Sequence, residues 1–142
     1  MTYVDLFTHL LRAEIAVWDS LDATLKQQSA VSLPQFQALA AIDDIGGGAR
    51  VQDVSTAMTI TVGATSKLID RLERDGLAER GSNPHDRRSS IIELTDQGSR
   101  SLAGARVVAE EHLRSLLSEA FPAERARALS TDLVEYRQQV IR

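Results

Sequence analysis

The chain has 142 residues, 43% of them hydrophobic but only 4% aromatic, so one core filled mainly by Leu, Ile, Val and Ala is within reach. It has no cysteine, which excludes disulfides, thiolate metal sites and thiol-based redox sensing. The net charge of −4 argues weakly against nucleic acid as a partner, yet it is unevenly spread: residues 61–90 hold six basic and five acidic side chains, leaving ten basic and fifteen acidic elsewhere. No window approaches the roughly 20 apolar residues of a membrane helix, and the opening "MTYVDLFTHLL" lacks a basic leader, so the expectation is a cytoplasmic chain with no membrane partner.

Residues 3–28 are expected to be helical, because Val4, Phe7, Leu11, Trp18, Leu21 and Leu25 step by threes and fours, with Glu14 as the one break, in a coiled-coil-like seam. A second helix starts in "VSLPQFQALAAI": Ser32 caps it, Pro34 suits its first turn, Gln35 completes a capping box, and Phe36, Leu39, Ala40 and Ile42 form its inner face. "GGG" at 46–48 breaks the chain, and a short helix, "RVQDVSTAM", follows with Val51, Val54, Ala57 and Met58 inward. After the turn Thr59–Ile60–Thr61, Thr61 caps a helix with Leu68, Ile69 and Leu72 facing a core, and Gly76 ends it. "LAER" and "IIEL" read as two short strands around the loop 82–90. Thr95 caps a further helix over about 96–118, with Leu102, Ala109, Leu113 and Leu116 along one face and Gly98 as a weak point. Past Phe121–Pro122, a last helix covers about 123–141, with Leu129, Leu133, Tyr136 and Val140 in register. The fold class is therefore mainly α with a small two- or three-stranded β-wing.

Two helices across 51–75 joined by a tight turn, with a hairpin directly after them, have the length and order of a winged helix-turn-helix. In such a unit the second helix enters the major groove of double-stranded DNA. Its exposed face here carries Gly63, Ser66, Lys67, Asp70, Arg71 and Arg74. Gly63 and Ala64 are small enough for close approach, Ser66 and Lys67 donate to phosphates or base edges, and Arg71 and Arg74 reach the backbone. Asp70 and Arg74 also stand at the spacing of a helical ion pair. The hairpin loop "NPHDRRSS" offers an arginine slim enough for a narrow minor groove. Arg88 is assigned to that groove, Asp86 to a salt bridge that stiffens the loop, and Arg87 to phosphate or the same clamp.

The segment "SKLIDRLERDGLAERGSNPHDRRSSIIELTDQG", residues 66–98, resembles the multiple-antibiotic-resistance regulator (MarR) family of bacterial transcription factors. The likeness lies in a recognition helix, an "RLE..GL..R" junction, a "D.R" wing and an "LT..G" exit, and the helix order extends it over nearly the whole chain. It implies one domain over 1–142, with a DNA-binding lobe at 31–95 and long dimerisation helices at 1–30 and 96–142. It also implies a homodimer on a pseudo-palindromic operator, commonly a repressor relieved by a small ligand. Val4, Phe7, Leu11, Leu129, Leu133, Tyr136 and Val140 are the expected dimer contacts. His9, Trp18 and Phe36 are candidates for holding a small aromatic or phenolic effector, with packing or surface roles as the alternative. Gly63 and Ala64 depart from the family, many of whose members carry polar side chains there.

Catalysis is not expected: His85, Asp86, Ser89 and Ser90 share one loop without a nucleophile elbow or an oxyanion donor, and Gly46–Gly48 lack the Lys-Ser/Thr of a phosphate loop. His9, His85 and His112 are scattered, so neither a metal nor another cofactor is expected. The alternative to a DNA-binding regulator is a dimeric protein-interaction module that uses the same scaffold and its acidic surface.

Overall fold

Cap chemistry decides where most of the helices begin. The computed structural model describes residues 1–140. It contains α1 (Tyr3–Gln28), α2 (Leu33–Ile45), α3 (Val51–Met58), α4 (Val62–Arg74), β1 (Ala78–Ser82), β2 (Ser90–Leu94), α5 (Asp96–Leu117) and α6 (Ala123–Val140). Position 141, expected at the end of the last helix, lies outside the described residues. Thr2 and Asp5 form a capping box on α1, and Ser32 with Gln35 forms one on α2, where proline occupies the first turn. Thr61 Oγ1 accepts the Ala64 N–H at 3.1 Å to start α4, and Thr95 Oγ1 accepts the Gly98 N–H at 3.0 Å to start α5. Each bond satisfies a helix-end donor that has no partner inside its own helix.

Packing divides the chain into two compact units, Met1–Ala109 and Glu110–Arg142. The first unit holds the core. Leu25, Leu39, Ile69, Leu72, Ile92 and Leu102 are its largest fully buried apolar side chains, drawn from α1, α2, α4, β2 and α5. The strands form an antiparallel pair with Ala78 opposite Leu94, Arg80 opposite Ile92 and Ser82 opposite Ser90. A single bridge adds Ala49 to the far side of β2, where the Ile92 N–H donates to the Ala49 carbonyl at 2.7 Å. The wing thus has two strands and one bridging residue. In the second unit, α6 buries none of its side chains, and the Arg125 guanidinium lies 5.4 Å from the Phe121 ring centre.

Several expected faces shift. In α2 the buried alanine is Ala38, with Ala40 half-buried. In α3 Ala57 is exposed and Ser55 takes the interior, because its hydroxyl donates to the Ile60 carbonyl at 2.7 Å across the turn. Leu116 is 42% exposed. Gly98 is buried, not a weak point: a Cβ there would lie 1.8 Å from the Leu77 carbonyl oxygen, so only glycine lets α5 run this close to the chain entering β1. The seam of α1 divides. Leu21 and Leu25 join the core, Trp18 is half-buried, and Val4, Phe7 and Leu11 are exposed.

Candidate nucleic-acid interface

Two buried hydroxyls tie the turn between α3 and α4. Ser55 reaches Ile60 as above, and the Thr65 hydroxyl donates to the Thr61 carbonyl at 2.8 Å. Thr59 takes a left-handed conformation (φ 57°) at the end of α3, an unusual state for a β-branched residue. With Leu68, Ile69 and Leu72 locked into the core, the opposite side of α4 turns outward and exposes Gly63, Lys67, Asp70, Arg71 and Arg74. Ser66 is half-buried on the flank toward the wing.

The wing loop braces itself. Asn83 donates from Nδ2 to Ser89 Oγ at 3.0 Å and accepts the His85 N–H on Oδ1 at 3.0 Å. The expected Asp86 clamp takes another form: Asp86 Oδ1 accepts the backbone N–H of Arg88 at 2.9 Å, and the two side chains form no ion pair among the described residues. The loop is stiffened through its backbone, and the guanidinium of Arg88 stays out of the brace. Arg87 is exposed at the tip.

Between the start of α3, α4 and the wing lies a cleft of about 400 Å³ lined by Arg50, Val62, Ser66, Arg80, Asp86 and Arg88, among others. It brings together Ser66, Asp86 and Arg88 from the expected set. Lys67, Arg71 and Arg74 stand on the adjoining outer face of α4. Arg50 and Arg80 are additions. Arg50 pairs with Asp53 through Nε at 3.2 Å, while Asp53 Oδ2 also accepts the Arg50 backbone N–H at 3.0 Å. Those bonds, the side-chain one foremost, hold the Asp53 carboxyl below its ordinary range. The Arg–x–x–Asp spacing before a helix was the available signal.

Arg80 sits on β1 but points at α4. Its Nη1 binds Asp70 at 2.7 Å and also Glu73, its Nη2 reaches the Ser66 carbonyl at 3.4 Å, and its own N–H donates to Glu73 Oε1 at 3.1 Å. Burial disfavours its charge, but the two carboxylates outweigh that and raise its pKa further above an already high value. Asp70 therefore pairs with Arg80 and not with Arg74, which instead lies 3.4 Å from Asp75. One side chain spans two turns of α4, from Ser66 to Glu73, and ties the wing to it.

The remaining expected residues fall elsewhere. Val4, Phe7, Leu11, Leu129, Leu133, Tyr136 and Val140 are between 38% and 72% exposed, joined by Leu10, Ile15 and Val134. His9 is exposed, while Trp18 and Phe36 are half-buried. They line neither the cleft above nor a second one of about 260 Å³ bounded by Ile42, Asp43, Gly46, Glu93 and Ser99. Among the described residues no group of three or more His, Asp or Glu is placed to hold a metal, and no helix is long and apolar enough to cross a membrane.

A short helix, a tight turn, a second helix with a cationic outer face and an arginine-tipped hairpin beside it make this a winged helix-turn-helix protein. Residues 31–89 match the sequence pattern of the MarR family. It is 28% identical over 102 residues to the uncharacterized HTH-type transcriptional regulator YfiV of Bacillus subtilis (strain 168), a match covering 72% of this chain and 58% of YfiV. The chain thus spans little more than half the length of that relative. It is 27% identical over 132 residues to YsmB, another uncharacterized HTH-type transcriptional regulator of the same organism, covering 93% of this chain and 89% of YsmB. Among solved structures it is similar to the transcriptional repressor CouR bound to a 23-mer DNA duplex, with a TM-score of 0.82, 27% identity, and coverage of 90% and 89%.

Proposed function

We propose that this protein is a DNA-binding transcriptional regulator that grips a pseudo-palindromic operator as a homodimer, represses there, and is released by a small aromatic or phenolic effector. The observation that carries the reading is the shared cleft: the wing arginine Arg88 and the recognition-helix residue Ser66 line one concavity, beside an outer face bearing Lys67, Arg71 and Arg74. In this reading α4 enters a major groove, wide enough for one helix. The stiff wing delivers Arg88 into the neighbouring minor groove, where a narrow width concentrates negative potential. Thr61, Gly63 and Ala64 lead the helix in, Ser66 and Lys67 meet base edges or phosphates, and Arg71, Arg74 and Arg87 meet phosphates. Asp86 keeps the loop in shape. The CouR complex, a repressor on duplex DNA, supports both the DNA and the repression.

Residues 31–95 form the DNA-binding lobe in this reading, with dimerisation helices at 1–30 and 96–142. The uncovered apolar side chains on α1, and those on α6, support a second copy as their cover, since a monomer rarely leaves so many exposed on one helix. Two lobes joined this way read two half-sites about one helical turn apart and gain affinity by linkage. His9, Trp18 and Phe36 are the candidate effector contacts. The test is equilibrium binding to a selected operator across a salt series, comparing the native protein with Arg88→Ala. Binding that falls steeply with salt, and a loss of about tenfold or more for the variant with its dimer intact, supports the reading. Equal binding by the variant refutes the wing assignment.

A further inference from the structure

The leading turn of α4 has little chemistry with which to recognise a polar base edge. Val62, its first residue, is 49% exposed and lines the cleft with Ser66 and Arg88. Its side chain neither donates nor accepts a hydrogen bond. Gly63 next to it has no heavy atom within 4 Å of where a Cβ would sit, so bare backbone faces outward there. Ala64 is exposed and equally mute. The Thr61 hydroxyl before them is the helix cap, its oxygen accepting the Ala64 N–H at 3.1 Å. Beyond the cap, the next polar side chains that are not buried are Ser66 and Lys67, one turn further on.

In the major groove every base pair presents donors and acceptors, and thymine adds one apolar group, its C5-methyl. A valine pressed on a polar edge strips its water and returns no hydrogen bond, which is unfavourable. The same valine on a methyl group removes apolar surface of both partners from water. The missing side chain at Gly63 lets the turn come close enough for that contact. We propose that this turn reads thymine by its methyl group, with Val62 as the specificity-determining residue, so that each half-site carries a thymine, or a 5-methylcytosine, facing Val62.

The inference rests on the DNA-binding reading above, and the experiment separates the two. An operator is selected from random duplex with the full-length protein. Each thymine of a half-site is then replaced in turn by deoxyuridine, which deletes only the methyl group, and binding is measured for the native protein and for Val62→Ala. The expected result is about fourfold weaker binding of the native protein at one or two thymines, the worth of one buried methyl. Val62→Ala should shrink that difference toward one. Restoring a methyl as 5-methylcytosine in a cytosine variant at that position should favour binding over plain cytosine. Alanine is the better helix former and Val62 is half-exposed, so the variant should fold. Uridine sensitivity should persist in Arg88→Ala, because the methyl lies in the groove opposite the one the wing enters. Binding indifferent to uridine at every position, a uridine effect unchanged in Val62→Ala, or selected half-sites free of thymine would overturn the proposal while leaving DNA binding intact. A native protein that retains no duplex even at low salt would overturn both.

Discussion

Replacing Arg80 by methionine keeps most of the side chain's length and removes its charge. The structure sets the cost. The side chain of Asp70 is 62% exposed, so its pair with Arg80 is largely screened and contributes no more than about 0.5 kcal/mol. The side chains of Glu73 and Arg80 are 33% and 24% exposed, and their charge-assisted contact contributes about 1.5 kcal/mol. The Ser66 carbonyl, at 3.4 Å, adds little. The sum is about 2 kcal/mol, a drop in Tm of roughly 4–8 °C for a chain of this size. DNA binding should suffer more than stability does, on the order of tenfold, because the wing no longer holds a fixed distance from α4 and its ordering falls on the bound state. Thermal unfolding and fluorescence anisotropy on a selected operator measure the two effects, well below the variant's Tm. The dependence of affinity on salt discriminates further. A strut makes no phosphate contact, so the slope should stay that of the native protein, whereas a lost phosphate contact lowers it by about one. Arg80→Lys should recover only part of the binding, since an ammonium cannot span Asp70, Glu73 and Ser66 together. Native affinity in Arg80→Met, or a shallower salt slope, would refute the strut.

Gly98→Ala places a methyl 1.8 Å from the Leu77 carbonyl oxygen and forces the backbone apart; thermal denaturation should show a loss on the order of 3 kcal/mol, and a loss under about 1 kcal/mol would contradict the close approach. Asp22 is held below its ordinary pKa by Lys26 and by the Leu33 N–H at 2.8 Å, so it contributes stability above about pH 4 that is lost as the pH falls through its lowered native value. Urea unfolding of Asp22→Asn should therefore give a flatter stability profile through that acid range than the native protein, and parallel profiles would argue against the link between α1 and α2. Leu133→Glu places a charge among uncovered apolar side chains of α6; on the proposed dimer, analytical ultracentrifugation should find dimer for the native protein and monomer for the variant, and an unchanged dimer would remove α6 from the interface.

What the chain disclosed by reading alone follows the range of the interactions involved. Ser32 with Gln35, Thr61 and Thr95 mark their helix starts because a cap bonds to a neighbour three residues away. Gly76 marks the end of the fourth helix because a left-handed residue (φ 72°) is a local need. The face of α4 was legible from Leu68, Ile69 and Leu72, whose spacing decides which side is left for solvent. The wing was legible from a proline, a polar loop and two flanking strands.

Other features depended on which surfaces meet. The "RLE..GL..R" junction marks Arg80 but not its partners; it becomes a strut because the register of β1 lays it across α4, and Asp70 turns to it instead of to Arg74. Gly98 looks like a flaw in a helix until Leu77 arrives beside it. Ser55 displaces Ala57 from the interior because a carbonyl across the turn needs a donor. Local sequence thus determined where each element starts, stops and turns its apolar side. Only the tertiary structure decided which charges are spent on the fold and which stay free, because a charge chooses its partner by distance in space.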